Sequence, residues 1–202
     1  MFDISANIDE PEQTFYLCGS PTSFKSRMFS CDNGDMEAVS FDFGDTNAAN
    51  WSCLTVFGLL KSGGVVSICP VLPDDSLLPE NTVECLESAT NAAMQMGNDN
   101  ERVPLYWQMK YVQALKALAN RDEANRYTRP QFKLGPARQG PYLLNLSSTL
   151  SEGGMDDYTD IKIVSCTLGL VALIASPRGL QISVLLDAIE PDWNVSDMVL
   201  ST

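Results

Sequence analysis

Histidine is absent from the sequence of 202 residues, and this absence excludes several kinds of active site. Serine or cysteine nucleophiles that depend on a histidine base are excluded. A mixed cysteine and histidine zinc site is excluded as well, and the six cysteines include no C-x-x-C pair that would favour an all-cysteine site. The glycine pairs Gly63-Gly64 and Gly153-Gly154 lack the pattern of a phosphate-binding loop. The sequence therefore predicts a protein that is not an enzyme and needs no cofactor.

Basic residues are few, because 13 Lys and Arg stand against 26 Asp and Glu, for a net charge of -13. A direct nucleic-acid partner is not expected, since phosphate binding needs clustered basic side chains. The charge is unevenly spread: residues 99–138 carry 4 acids and 8 bases, whereas both flanking regions are acidic. This middle segment is a basic island with its own electrostatic environment.

Long apolar runs are also absent, and none approaches the roughly 20 residues needed to span a bilayer. The acidic, polar start of the chain does not resemble a signal peptide. We therefore expect no membrane insertion and a reduced intracellular compartment.

Short apolar runs are present instead, and they form two hairpins of the same plan. Residues 54–60 and 65–71 flank a turn that contains Gly63-Gly64, and residues 170–175 and 180–186 flank a turn that ends at Gly179. Glycine reverses the chain tightly because it tolerates positive φ. An alternating strand precedes each hairpin, at residues 36–43 and 160–166. In the first of these strands Val39, Phe41 and Phe43 fall on one face, which is typical of a half-buried strand. The two phenylalanine-glycine pairs, Phe43-Gly44 and Phe57-Gly58, lie inside predicted strands, and both are predicted to be core.

Between the two hairpins the apolar spacing changes to that of helices. The pattern predicts helices over residues 82–97 and 105–120, with Gly97 ending the first and Pro104 near the start of the second. A basic loop rich in proline and glycine follows the second helix.

Two stretches carry a resemblance to a known family. They are FDFGDTNAANWSCLTVFGLLKSGGVVSICPVLP, which ends in the motif ICPVLP, and SPRGLQISVLLDAIEPDW, a glycine hairpin that leads to an acidic tryptophan segment. Together with the helical pair between them, they resemble the later blades of the N-terminal propeller of the nucleoporin eighty-two family, called eighty-eight in animals. The resemblance covers residues 36–193 with gaps.

The resemblance implies a mainly β fold, a partial β-propeller with antiparallel four-stranded blades and an inserted α-helical pair. It divides the chain into a lead-in strand and loop (1–35), a blade meander (36–73), the helical insertion with the basic loop (74–140), the final blade (141–193) and a frayed tail (194–202). All five segments are expected to lie in one incomplete propeller domain, because the chain has material for about two blades.

For function, the resemblance implies a structural scaffold nucleoporin at the cytoplasmic face of the nuclear pore complex. Such a protein anchors filament nucleoporins with phenylalanine-glycine (FG) repeats and so supports messenger RNA export and nucleocytoplasmic transport. The implied partners are the helical tail of one FG nucleoporin and the autoproteolytic domain of another. The alternative is a propeller-like hydrolase or metal-binding sheet protein that uses the loop carboxylates Asp74, Asp156 and Asp160.

The partner-binding surface is predicted to lie on the second helix and the basic loop behind it. The apolar contacts would be Trp107, Tyr111, Leu115 and Leu118, since such a stripe can take the apolar face of a partner helix. Arg121 and Arg126 would steer acidic residues of the partner. The alternative is that the stripe packs the helix onto the protein's own sheet, as most such stripes do.

Overall fold

The computed structural model describes nine segments of the chain, residues 9–11, 13–17, 37–45, 50–72, 78–97, 102–119, 139–147, 158–167 and 169–193. Seven strands lie in them: β1 Ala38–Phe43, β2 Val56–Leu60, β3 Val65–Ile68, β4 Tyr142–Leu143, β5 Asp160–Cys166, β6 Gly169–Ser176 and β7 Gly179–Val184. Two helices, α1 Glu80–Met96 and α2 Arg102–Ala119, are inserted between β3 and β4. A short 3₁₀ turn, Trp51–Leu54, precedes β2.

The first sheet has the order β1-β2-β3-β4, and all of its neighbouring strands are antiparallel. The predicted hairpin forms β2 and β3, and Gly63 in its turn adopts a φ of 87°. Both strands are almost completely buried, as their apolar runs predict. Residues 142–143 were expected in the second sheet, but they pair with β3, with Val66 opposite Leu143. A two-residue strand has too little pattern for the sequence to identify its neighbour.

The second sheet has the order β5-β6-β7, again antiparallel, with Gly179 at a φ of 139° in the predicted hairpin turn. The chain that leaves β4 continues along the free side of β7. The Ser147 N–H donates to the Val184 carbonyl at 2.8 Å, and the Leu186 N–H donates to the Asn145 carbonyl at 2.9 Å. Residues 145–147 thus extend this sheet by one isolated antiparallel bridge, with Leu146 opposite Leu185. The mainly β, antiparallel fold with two inserted helices is confirmed.

The two sheets enclose a common apolar core. Ile161 and Ile163 of β5 face it, as their alternation predicts, and they meet Phe57 of β2 and Ile174 of β6. Each of these side chains is at most 3% exposed, and burying one contributes about 1.5–3 kcal/mol. Packing of this core fixes the two sheets against each other.

Polar contacts join two edge strands, β1 of the first sheet and β5 of the second. Asp42 on β1 accepts hydrogen bonds from Lys162 Nζ at 2.9 Å and from the Ile163 N–H at 2.7 Å. Ser40 Oγ donates to Asp160 Oδ1 at 2.7 Å, and this bond is the main cause of the lowered pKa of Asp160. Ser40 and Asp42 therefore face β5. Because side chains alternate along a strand, Phe41 and Phe43 face away from it.

Phe57 is a core residue as predicted, with 0% of its surface exposed, but the core prediction for Phe43 is wrong. Phe41 and Phe43 both lie on a face of β1 that is open to solvent. They are 59% and 58% exposed and meet edge to face, with ring centroids 6.0 Å apart. Val39 does pack against the core between the sheets. The strand register shifts between Ala38 and Ser40, so the simple alternation that joins Val39 to the phenylalanines breaks at this irregularity.

The outer face of the second sheet remains open to solvent within the described part of the chain. Leu180 and Ile182 on β7 are 64% and 63% exposed, and Val164 on β5 is 38% exposed. Val171 and Leu173 on β6, which lie opposite Val164 and Ile182, are half-buried. Open apolar faces of this kind mark surfaces that pair with other structure.

The two helices and the lead-in segment differ in detail from the prediction. The helices begin two or three residues earlier than predicted, and Gly97 follows α1 as expected, with its N–H bonded to the Ala93 carbonyl at 2.7 Å. Residues 13–17 form no strand. Leu17 lies instead over Gly58, where an added methyl group would come within 2.9 Å of Leu17 Cδ2. The domain boundaries stay a prediction.

Candidate functional site

Helix α2 carries the predicted site, and its sequence explains both its formation and its orientation. Proline at position 104 lies in the first turn, where its missing N–H is not needed. Leucine, alanine, glutamine and lysine, which favour helix, dominate the rest. Val112 and Leu115 are 0% and 1% exposed and belong to the same core cluster as Val83 and Leu86 of α1. The two helices therefore form a hairpin with a shared apolar core.

The predicted apolar stripe divides into a buried part and a surface part. Tyr111 and Leu115 are 7% and 1% exposed and belong to the core beneath the helices. Trp107 is half-buried and packs against the edge of that core. The side chain of Leu118, and Arg121 and Arg126 as a whole, lie outside the described residues. For Tyr111 and Leu115 the structure shows a packing role, while contact of the stripe with a partner stays a prediction.

Tyr111 is at the centre of an aromatic cluster that attaches α2 to the rest of the fold. Its ring centroid lies 6.2 Å from that of Trp51 in the 3₁₀ turn and 5.4 Å from that of Trp193 near the end of the described chain. Burial raises the pKa of the Tyr111 hydroxyl to about 12 and that of the neighbouring Cys69 thiol to about 12. Both groups are therefore neutral at physiological pH.

Three side chains form an exposed patch on the outer side of α2, which we call the aromatic patch. Tyr106, 49% exposed, meets Trp107 edge to face with ring centroids 5.7 Å apart. Lys110 Nζ lies 5.5 Å from the centre of the Tyr106 ring, in a cation–π contact. The stripe predicted from the sequence does not include Tyr106, because Tyr106 lies one residue off it. The adjacent Tyr-Trp pair is the signal, since only one of two neighbouring helical residues can face the core.

An ion pair joins the two helices near the other end of α2. Lys116 Nζ lies 2.6 Å from Glu87 Oε2, and this hydrogen bond raises the pKa of Lys116 above its usual value. Within the core, Gln108 Nε2 donates to Thr90 Oγ1 at 3.3 Å. These contacts fix the relative position of the helices, so the aromatic patch is held on a rigid support.

A cleft of about 980 Å³ opens between the helical hairpin, β4 and residues 187–193, and we call it the acidic cleft. Its floor includes the buried side chains of Leu105, Leu144 and Trp193. Its walls carry the carboxylates Asp187, Glu190 and Asp192, and no lysine or arginine is among the described residues that line it. No local sequence pattern predicts this cleft, because its walls come from segments far apart in the chain.

Two carboxylates of the acidic cleft, Asp187 and Asp192, are held by local hydrogen bonds. Asp187 accepts from the Asn145 N–H at 2.5 Å and from Asn145 Nδ2 at 2.9 Å, and these bonds hold the pKa of its carboxyl below the usual value. Asp192 Oδ2 accepts from the Tyr142 hydroxyl at 3.1 Å. The walls of the cleft are thus polar, charged and ordered, around an apolar floor.

The residues for the alternative, enzymatic or metal-binding reading are only partly described. Asp160 is bound by Ser40 Oγ, whereas Asp74 and Asp156 lie outside the described residues. In the segments that the structure describes, no group of three or more Cys, Asp or Glu side chains is placed to hold a metal ion. Neither of the two described helices is long and apolar enough to cross a bilayer.

A protein-family model described as the nucleoporin NUP82 beta-propeller matches residues 17–177. Nucleoporin NUP82 of Chaetomium thermophilum is 27% identical over 159 residues, which are 71% of this chain and 18% of that protein. Nuclear pore complex protein NUP88 of Arabidopsis thaliana is 26% identical, over 96% of this chain and 25% of its own length. Nucleoporin nup82 of Schizosaccharomyces pombe is 24% identical, over 71% and 20%. The chain thus spans a quarter or less of the length of these curated relatives.

Two solved structures have a similar fold. One is the Chaetomium thermophilum heterotrimeric Nup82 NTD-Nup159 TAIL-Nup145N APD complex, with a TM-score of 0.61 and 23% identity, covering 90% of this chain and 38% of the matched one. The other is the yeast heterotrimeric Nup82-Nup159-Nup116 nucleoporin complex, with a TM-score of 0.53 and 15% identity, covering 82% of this chain and 38% of the matched one. At these identities the likeness concerns the fold.

Proposed function

The chain belongs to the nucleoporin NUP82 β-propeller family, and from this membership we propose that it is part of a structural scaffold of the nuclear pore complex. The observation that carries the proposal is the family match over residues 17–177, together with two adjacent antiparallel sheets and a helical insertion in the first. The scaffold acts through protein–protein interaction and not through catalysis. Curated relatives named as nuclear pore proteins support this location.

The finer proposal is that the scaffold lies on the cytoplasmic side of the nuclear envelope and anchors filament FG nucleoporins. Anchoring these filaments there supports messenger RNA export, protein transport and nucleocytoplasmic transport in general. The proposed partners are the helical tail of one FG nucleoporin and the autoproteolytic domain of another. In support, the similar structures are complexes of Nup82 with Nup159 TAIL and Nup145N APD in one case, and with Nup159 and Nup116 in the other.

We propose that the helical tail docks on α2. Of the predicted stripe Trp107, Tyr111, Leu115 and Leu118, Trp107 and Leu118 supply the apolar contacts. Arg121 and Arg126 steer acidic residues of the tail. The exposed Tyr106 ring extends the apolar surface beside Trp107. The buried Tyr111 and Leu115 act from beneath, because they hold the helix and Trp107 in place.

Affinity purification tests the scaffold proposal in the organism that encodes the protein. The full-length protein, tagged at its own locus, is expected to co-purify with FG nucleoporins under conditions that keep nuclear pore subcomplexes intact. A matched control is the same purification from cells that express the tag alone. Recovery of the protein without any FG nucleoporin would contradict the proposed anchoring function.

A binding measurement tests the docking surface on the full-length protein with a synthetic helical tail of the co-purified FG nucleoporin. Trp107→Ala is expected to weaken binding about 30-fold, which is the effect of removing an aromatic hot spot worth about 2 kcal/mol. Gln113→Ala, at an exposed position of the same helix, is the matched control. If the folded Trp107→Ala protein binds the tail as tightly as the control does, the surface is assigned incorrectly.

Replacing the steering residues Arg121 and Arg126 should change the rate of association more than the rate of dissociation. Arg121→Ala with Arg126→Ala should slow association and reduce its dependence on salt, while the dissociation rate changes little. Stopped-flow mixing at low and high ionic strength measures both rates. An unchanged association rate would remove these two residues from the proposal.

A further inference from the structure

We propose that the acidic cleft is a second docking site, and that it takes a partner segment whose apolar side chains are flanked by lysine or arginine. The site is distinct from the aromatic patch, because neither Tyr106 nor Trp107 lines the cleft. It also selects the opposite charge, since the basic residues beyond α2 would attract acidic segments. The inference therefore goes beyond the proposed docking of a helical tail.

The size of the cleft and its exposed edges favour a peptide segment over a compact small molecule. Its volume of about 980 Å³ lies at the upper end of the roughly 300–1,000 Å³ of small-molecule sites. Met96 and Leu143 on its margin are 87% and 68% exposed, while Leu105 and Trp193 in its floor are 9% and 3% exposed. A ligand that covers both the buried floor and the exposed margin must extend beyond the edge of the cleft, which a peptide segment can do.

The charge on the walls of the cleft determines which residues flank the apolar side chains of the partner segment. Asp187, Glu190 and Asp192 supply three carboxylates, and the described residues that line the cleft include no lysine or arginine. Asp187 is held by two hydrogen bonds from Asn145. Positioned carboxylates attract lysine and arginine at little ordering cost and repel acidic segments.

The general acidity of the chain does not explain the specificity of this surface. Other exposed carboxylates, such as Glu80 and Glu84, lie on α1 outside the cleft and do not line it. At the cleft the carboxylates surround an apolar floor, so a basic segment without apolar side chains gains only the screened attraction of exposed charges. The combination of both features defines the partner.

The test uses the intact chain and a fluorescent synthetic peptide of about four helical turns, with leucine on one face and lysine on its flanks. Two comparison peptides replace every lysine with glutamate or every leucine with serine. We expect the lysine and leucine peptide to bind more tightly than both. Its affinity should fall as ionic strength rises from about 50 mM to about 300 mM. Equal binding of the glutamate peptide would overturn the proposal.

Matched variants locate the site. The triple variant Asp187→Asn, Glu190→Gln and Asp192→Asn is expected to weaken the lysine and leucine peptide roughly tenfold. The control, Glu10→Gln, Glu80→Gln and Glu84→Gln, removes the same charge from exposed positions outside the cleft and is expected to change the affinity less than about twofold. An equal loss in both would show general acidic attraction and would overturn the site.

A third variant remains informative if the triple variant fails to fold. Met96→Ser changes an exposed side chain at the margin of the cleft and is expected to weaken the peptide about threefold with little effect on stability. Tyr106→Ala, at the aromatic patch, should leave this peptide unaffected. Unchanged binding to Met96→Ser, or lost binding to Tyr106→Ala, would contradict docking in the cleft without bearing on the proposed scaffold.

Discussion

Replacing Tyr111 with alanine is expected to lower the free energy of unfolding by about 3–5 kcal/mol, the usual cost of truncating a buried aromatic. The ring is 7% exposed and lies 6.2 Å from Trp51 and 5.4 Å from Trp193. Each aromatic pair contributes about 0.5–1.5 kcal/mol beyond the burial of its area, so the loss of two pairs favours the upper half of the range. In a chain of 202 residues this corresponds to a fall in Tm of roughly 6–20 °C.

Urea denaturation of the variant, the unmodified chain and two controls measures this loss. Tyr111→Phe keeps the ring and is expected to lose no more than about 1.5 kcal/mol. Tyr106→Ala removes an adjacent tyrosine that is 49% exposed, and its cost should stay below about 1 kcal/mol. If Tyr111→Ala costs no more than Tyr106→Ala, the aromatic cluster does not hold α2 to the sheets, and the description of its packing is wrong.

Three further predictions concern other contacts. Asp42→Ala should destabilise the chain by about 1–3 kcal/mol, because the Ile163 N–H loses its hydrogen-bond acceptor. Chemical denaturation measures this loss, and an unchanged midpoint would refute the contact between the sheets. The pKa of Asp187 is lowered on folding, so its contribution to stability is present above its unfolded pKa and lost as pH falls through the folded pKa. Melting between about pH 5 and about pH 3 should therefore fall less steeply in Asp187→Asn than in the unmodified chain, and identical slopes would argue against the shift. A thiol reagent at neutral pH should modify the exposed Cys166 well before the buried Cys69, whose pKa is raised to about 12. Peptide mass spectrometry gives the order of modification, and simultaneous modification of both cysteines would contradict the prediction.

The sequence predicted the two hairpins and the two helices because their signals are local. Apolar runs on either side of Gly63-Gly64 and Gly179 specify strand, turn and strand without reference to the rest of the chain. The alternation of Ile161 and Ile163 likewise identified the face of β5 that is buried. These features depend on neighbours that lie within a few residues of one another.

Features that depend on distant segments were predicted poorly. The register shift in β1 exposes Phe41 and Phe43, and the strand pattern alone does not show where such an irregularity lies. The strand β4 pairs with β3 across the whole helical insertion. The acidic cleft combines the ends of two helices with β4 and residues 187–193, so no continuous stretch of sequence contains it.

For the predicted partner-binding stripe, helical periodicity identifies the face of the helix but not what that face contacts. The spacing of Trp107, Tyr111 and Leu115 correctly identified one face of α2, but periodicity does not show whether that face meets a partner or the protein's own core. Burial then separates the members of the stripe, since Tyr111 and Leu115 are buried and Trp107 is half-exposed at the edge. The adjacent Tyr106 became visible as a surface residue only in three dimensions.

The central claim, a scaffold on the cytoplasmic side of the nuclear pore complex, is tested most directly by immunogold electron microscopy of the endogenously tagged full-length protein. The account predicts gold particles at nuclear pores, concentrated on the cytoplasmic side of the envelope. Particles spread evenly through the cell, or concentrated on the nuclear side of the pores, would contradict it.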